Sequence, residues 1–385
     1  MSTRDPSAQG PQPAPDFFFN SPDGWVRGDD MRFCEDADAA LDLAREQGGV
    51  IAGMLPCFPG EPERLGVPTR WVTSEDPQDG VDAAPWAAGV AAARLPEPTS
   101  IDGVDDPAYR RIVGEALVEL YEGDLEKVVL SRQLRLGYDA APLSPAEVFR
   151  RLREQHPSAY AFSVADPQRR SWHLGASPEL VMSVRDAVCA TFPLAGSAPR
   201  AASGDPTEDA QVGEALMRSP KDRAEHTAVV EDLAERLRPL CLSLEVPAVP
   251  SLVRTPQLWH LGTRITGRLR PGLGSLEAAR AIHPTPAICG VPREAAIRRI
   301  RETESAGRGF FGGLVGWSAP SGDGQWALNL RSARVQPDQA VLFAGAGVVR
   351  GSTPEGEHAE TVTKLSTFLR VLGLDREGRP RPEGA

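Results

Sequence analysis

The run QWALNLRSARV, residues 325–335, constrains this chain more than any other stretch, because Trp326, Leu328 and Leu330 alternate with Asn329 and Arg331 at a period of two. Only a β-strand places every second side chain on one face, so the run predicts a strand with one face buried. Turn-rich segments bound it, PSGDG (320–324) before and QPDQ (336–339) after. Together with GGLVGW (312–317) and QAVLFAGAGVV (339–349) it predicts a meander of antiparallel strands, since such short connections cannot make a parallel crossover. KVVLSRQLRL (127–136), YAFSVAD (160–166) and SPELVMSV (177–184) predict further strands.

Helices are interleaved. One begins at Ser219-Pro220-Lys221-Asp222, where Ser can cap, Pro suits the first helical position and Asp occupies the capping-box position; it is expected to run to about Arg238. On a wheel, Val229, Val230, Leu233 and Leu237 form its buried stripe, with His226 inside and Glu225 at the edge. A second starts after Ser352-Thr353-Pro354-Glu355 and runs to about Leu372, with Leu365, Phe368, Leu369 and Leu372 facing the core and Glu357, Glu360 and Lys364 on an adjoining stripe.

The 385 residues allow two to three domains or one large α+β domain. The 37 glycines and 36 prolines argue against a helical bundle, and the net charge of −11 against a general nucleic-acid or anionic-membrane binder. A small anionic substrate stays possible, because charges further off than about 8 Å are screened at physiological salt. Five cysteines, odd in number and without CxxC pairing, read as reduced thiols. No apolar run approaches the roughly 18 residues of a spanning helix, and the N-terminus lacks the apolar centre of a signal peptide, so a cytoplasmic protein is expected. Residues 1–15 and the last ten are too polar and Pro-rich to order themselves.

Glu357 and Glu360, three apart in a first helical turn, would repel unless a cation lay between them, and Mg²⁺ is a hard ion that takes such oxygens. The commoner arrangement for this segment alone is a solvated face with Glu360 paired to Lys364. Zinc and di-iron chemistry fit less well, as there is no HExxH and a single ExxH. GAGVVRG (345–351) is GxGxxxG without a βαβ unit, so no nucleotide is expected; its glycines, like Ala195-Gly196-Ser197, could instead offer backbone N–H groups to a carboxylate, or simply be turns.

Nine segments in order over about 105–372 resemble the chorismate-utilising enzymes, and their isochorismate synthases in particular: KVVLSR, GASPELVM, PLAGSAPR, KDRAEH, LWHLGT, HPTPAICGVP, GFFGGLVGW, FAGAGVV and GEHAETVTKLS. The resemblance implies an α+β fold of two opposed antiparallel β-sheets with helices packed outside, in one globular unit, with chorismate and Mg²⁺ in a cleft. It divides the chain into a disordered tail (1–15), an N-terminal part of the same globule (16–104), the chorismate-binding core (105–372) and a flexible C-terminal tail (373–385). Glu225 and Glu360 match the metal ligands, with Glu357 close by and acting through water. Gly196 and Ser197 match the cradle for the ring carboxylate; Arg331, Gly345 and Gly347 match positions holding the enolpyruvyl carboxylate. Lys364 matches a supporting cation and His260 a pocket histidine.

Lys127 and Glu179 match the base that activates water and the acid that protonates the leaving hydroxyl. At ordinary pKa values, about 10.4 and 4.3, few molecules would hold either group in its working form at neutral pH, and desolvation would improve both. The pattern alone makes Lys127 a solvent residue, since it shares a strand face with Ser131, Gln133 and Arg135. The resemblance implies a Mg²⁺-dependent isomerase supplying 2,3-dihydroxybenzoate for siderophores. The rivals are a salicylate synthase, a menaquinone-pathway enzyme, an aminating enzyme, which Lys127 disfavours, and a non-catalytic chorismate-binding protein. A monomer is expected, with transient contact to a downstream isochorismatase.

Overall fold

The computed structural model describes residues 15–76, 95–201, 205–254, 258–304 and 306–381. The expected N-terminal tail lies, apart from Pro15, outside them. In chain order the elements are β1 (Phe17–Ser21), β2 (Gly24–Phe33), α1 (Ala37–Gln47), β3 (Ile51–Leu55), β4 (Arg64–Ser74), β5 (Ser100–Asp102), α2 (Pro107–Glu122), β6 (Lys127–Gly137), α3 (Pro145–Gln155), β7 (Tyr160–Asp166), β8 (Ser171–Ser177), β9 (Leu180–Arg185) and β10 (Val188–Thr191). There follow β11 (Leu194–Pro199), α4 (Pro206–Arg218), α5 (Pro220–Leu237), β12 (Cys241–Glu245), β13 (Ser251–Arg254), β14 (Leu258–Gly262), β15 (Ile265–Leu269), α6 (Ser275–Ile282), β16 (Gly290–Val291) and α7 (Arg293–Thr303). The chain ends with β17 (Leu314–Ser318), β18 (Gly324–Leu328), β19 (Ser332–Val335), β20 (Gln339–Val349) and α8 (Pro354–Val371).

All described pairings are antiparallel, and one ladder passes through β6, β20, β19, β8, β7, β1, β2, β4, β3, β17, β18, β9, β10, β15 and β12. It makes two opposed sheets because its middle is buried on both faces. In the wholly buried β1, Phe17 and Phe19 pack with Met54, Val315 and Ala327 of the far half. Phe18 points the other way, to Phe149 of α3 and Phe368 of α8. The far half has its own helical cover, in which Ala40 of α1, Leu233 of α5, Ile282 of α6 and Ile300 of α7 join one core. Helices therefore flank two antiparallel sheets in an α+β unit.

The expected single strand over 325–335 is two. β18 pairs with β17 and β9 in one half, β19 with β20 and β8 in the other. Arg331 turns the chain between them in the left-handed region at φ +48°. The expected one-sided burial is not kept: β18 is buried on both faces, with Trp326 and Leu328 in one core and Ala327 in another, Asn329 is 1% exposed, and Leu330 is only half-buried. Residues 373–381, expected to be flexible tail, form a closed turn: Leu374 is buried, Asp375 accepts the Arg379 N–H at 2.8 Å, and Arg381 donates to the Gly373 carbonyl at 2.9 Å. The buried leucine anchors what its polar neighbours would leave free. Two helix starts match their capping signals, Ser219 accepting the Asp222 N–H at 3.3 Å and Thr353 that of Gly356 at 3.1 Å.

Candidate active site

β6 and β20 pair over their full length, Lys127 opposite Val349 and Gly137 opposite Gln339. Val128, Leu130, Leu134 and Leu136 of β6 are buried, as are Leu342, Ala344, Ala346 and Val348 of β20. The alternate residues face a cavity of about 400 Å³, where Lys127 and Val129 meet Gly345, Gly347 and Val349. Glu179 and Ala287 close one side, Arg308, Phe311 and Gly312 another, and Glu360 and Lys364 come from α8. The half-buried Lys127 thus faces a cavity and not the bare outer surface.

The glycines open this space. A Cβ on Gly347 would stand 3.1 Å from Cε of Lys127, in the path of its side chain. The N–H of Ser131 donates to Glu304 and that of Val129 to the Cys289 carbonyl, so neither is spent on β20. These are the non-hydrogen-bonded pairs of the ladder, and Gly345 and Gly347 opposite them turn their own backbone groups away from β6. The Gly345 carbonyl accepts from Nζ of Lys364 at 2.7 Å, and Lys364 is ion-paired with Glu360 at 2.8 Å. Glycine N–H groups beside an ammonium make a carboxylate-binding edge.

Glu179 lies between β8 and β9, with its backbone N–H on Ser177 Oγ at 3.3 Å and its carbonyl accepting the Leu328 N–H at 3.0 Å. Desolvation pushes its carboxyl up to about 7. Thr285 and Ala287 of HPTPA line the small space behind it with Val229 and Leu233 of α5.

Two residues that the sequence reading missed build the opposite wall. Arg308 donates to the carbonyls of Ile288 at 3.0 Å and of Val129, and pairs with Glu304 at 2.6 Å. Burial opposes its charge, but the Glu304 carboxylate outweighs that and holds the guanidinium above its ordinary range. Glu304 also takes the N–H and hydroxyl of Ser131 at 2.6 and 2.8 Å. GFFGG signals glycines and aromatics, and nothing in its pattern marks Arg308 as buried.

The other expected residues are not among those that line this cavity. Gly196 and Ser197 lie on β11 of a separate three-stranded sheet, β11–β14–β13. Ser197 Oγ is 2.7 Å from Nδ1 of His260 across that sheet, and Gly196, at φ +75°, lets β11 approach Asp222 of α5. His226 Nδ1–H donates to the Ala195 carbonyl at 3.1 Å and Nε2 accepts from Thr263 at 2.7 Å, tying α5 to this sheet. Glu225 is exposed on α5, and Arg331 lies near Arg370 and His156 without lining the cavity.

Mg²⁺ was expected on Glu225, Glu357 and Glu360, yet among the described residues no three His, Cys, Asp or Glu side chains gather closely enough to share a metal. Two of the three fit in part. Glu357 has a buried oxygen, Oε2, without a hydrogen-bond partner among the described residues; burial holds its carboxyl above the usual range, a bond from Ser352 opposes this and the Glu360 charge adds to it. An unsatisfied acceptor beside a second carboxylate suits a hard cation.

The chain matches the chorismate-binding enzyme family over residues 88–373 and belongs to it. It is 39% identical to the isochorismate synthase DhbC of Bacillus subtilis, over 87% of this chain and 84% of that protein. The crystal structure of DhbC from Bacillus anthracis superposes with a TM-score of 0.78 at 35% identity, covering 94% of this chain and 97% of that one. MenF, the menaquinone-specific isochorismate synthase of Escherichia coli, superposes at 0.76 with 27% identity, covering 93% and 88%. No described helix is long and apolar enough to cross a membrane.

Proposed function

We propose that this protein is an isochorismate synthase, which adds water to chorismate at the ring carbon next to the carboxylate-bearing one while the allylic hydroxyl leaves. The observation that carries this reading is Glu179, raised to about 7 inside the cavity it shares with Lys127. A carboxylic acid with that pKa is substantially protonated at neutral pH and still a competent donor. Lys127 takes a proton from the attacking water, and Glu179 gives its proton to the departing hydroxyl, so water enters and water leaves. Exchange with solvent returns both groups to their starting states. Lys364 and the N–H groups of Gly345 and Gly347 orient a substrate carboxylate at the edge of β20. Glu357 and Glu360 would hold Mg²⁺, which when bound supplies positive charge to a substrate carboxylate.

Gly196, Ser197, His260, Arg331 and Glu225 belong to the proposed substrate and metal contacts by resemblance. DhbC of Bacillus subtilis at 39% identity and the vibriobactin-specific isochorismate synthase of Vibrio cholerae at 35% support supply of an aryl acid for siderophores, while a putative isochorismate synthase MenF of Mycobacterium tuberculosis at 38% supports menaquinone supply as the second reading. Five free cysteines support a reducing, cytoplasmic setting.

Purified protein with chorismate and Mg²⁺ is expected to approach a mixture of chorismate and isochorismate without releasing pyruvate, and added isochorismatase to draw it onward. Stoichiometric pyruvate and salicylate without that second enzyme would make it a salicylate synthase instead.

A further inference from the structure

The face of β6 and β20 that carries the candidate active site continues beyond it. On β6, Gln133 and Arg135 line a second cavity of about 510 Å³, as does Phe343 on β20. Ser131 lies between the two on the same face, and its N–H and hydroxyl bind Glu304, the partner of Arg308. Both members of that ion pair are nearly wholly buried, at 5% and 2% exposure, so the cavities stand back to back against it.

The second cavity carries an uneven set of charges. Arg64, Arg135, Arg169 and Arg334 line it, and Asp166 is shared by Arg64 at 2.7 Å and Arg169 at 3.8 Å. On the other rim Glu63 is engaged by Arg280 at 3.5 Å and the Ala37 N–H at 2.6 Å, Glu61 faces Arg301 and Arg308, and Glu35 is exposed. Arg135 donates to Gln133 at 2.9 Å, and among the described residues Arg334 has no ion-pair partner. Burial, then the charges of Arg334, Arg169 and Arg64, push the neighbouring His173 down to about 3, leaving a neutral imidazole.

Two buried polar atoms on this wall lack partners among the described residues, Nε of Arg64 and Oδ1 of Asn329, whose residue is 1% exposed. Folded proteins leave few such atoms unsatisfied. Flat apolar surfaces stand beside them: Phe310 meets His173 edge-on at 5.2 Å and Phe311 stacks on Phe343 at 5.5 Å.

We propose that this cavity is a second ligand site, selective for a ring carboxylate that bears a hydroxyl group. Arg135, Arg169 and Arg334 grip the carboxylate, the phenylalanines take the ring, and the hydroxyl donates to Asn329. The volume suits one small ligand. Occupancy bears on the active site through Arg308 and Phe311, which line both cavities. The backbone of Asn329 adds a second link, its carbonyl accepting the Gly312 N–H at 2.9 Å and its N–H donating to the Gly313 carbonyl at 2.8 Å.

Such a ligand could be chorismate itself or an aromatic acid made further on. Calorimetric titration of the full chain with 2-hydroxybenzoate is expected to show saturable binding, weakened at least about tenfold in Arg334→Met and Arg169→Gln, as loss of a charge-assisted hydrogen bond requires. The Arg169 side chain is 66% exposed, so that variant folds independently of the Arg334 result. Without 2-hydroxybenzoate, both variants keep wild-type initial rates at low chorismate. Inhibition by excess chorismate that disappears in Arg334→Met would make chorismate the occupant; 2-hydroxybenzoate inhibition that chorismate does not relieve would make it the aromatic acid. Binding that competes with chorismate and is unchanged in both variants, or no saturable binding of either compound, overturns the proposal. Calorimetry needs no turnover, so its failure leaves the assignment of the reaction untouched.

Discussion

Two parts of this molecule were expected to hold substrate, and they are built differently. β6 and β20 pair over eleven residues without a slip, so every alternate side chain from Lys127 onward is committed to one face. β11 and β14 pair over five, with a shift between Ala195 and Ser197, on a sheet only three strands wide. On the long ladder, Lys127, Gly345 and Gly347 converge with Glu179, Glu360 and Lys364 on one cavity. On the short one, Ser197 and His260 are satisfied by each other. A long register dictates orientation at a distance, whereas a short bulged sheet leaves its polar groups to bond locally.

The strongest way to break this comparison is to remove the pair on the long ladder. Lys127→Ala and Glu179→Gln are each expected to lower turnover by about 10²–10⁴ while leaving the circular dichroism spectrum unchanged. With Glu179 as the acid, its protonated form is active, so turnover in the wild type should fall as pH rises through about 7. That limb should vanish in Glu179→Gln; a Lys127 variant with a near-normal rate would remove Lys127 from the mechanism.

A smaller effect tests the end of α8. Glu360→Gln should raise the Mg²⁺ concentration for half-maximal rate about tenfold, the size of one lost charged contact, and saturating Mg²⁺ should restore turnover. The same substitution frees Lys364 from its 2.8 Å ion pair. A Lys364→Met control, with unchanged Mg²⁺ requirement, separates the metal effect from the loss of that pair.

The smallest effect is expected from the short sheet. Ser197→Ala should raise KM for chorismate several-fold with kcat nearly unchanged, in line with one neutral hydrogen bond of about 1 kcal/mol. An unchanged KM would show that Ser197 serves only His260.

Much of this could be read from residues alone. Capping signals at Ser219 and Thr353 began helices where they occur, because a cap is a local bargain between one side chain and the next turn. The ordered motifs named a family that the whole-chain comparisons share. The break at Asn329–Arg331 escaped because apolar residues recur on both sides of it, although their phase shifts from Trp326 and Leu328 to Ala333 and Val335, and only the pairing with different neighbours shows two strands.

Local chemistry thus determined which segments become strands and helices, and which residues are able to act as acid, base or carboxylate grip. Tertiary structure decided what each face meets. A period of two says that Lys127, Ser131, Gln133 and Arg135 share one side of β6, but whether that side meets bulk water or lines a cavity depends on segments far away in the chain. Glu304 and Arg308 reach Ser131 and Val129 across more than 170 residues, and Glu360 and Lys364 arrive from α8. Burial is a property of the whole packing, and the raised Glu179 carboxyl follows from it because desolvation exists only once the surrounding chain has closed.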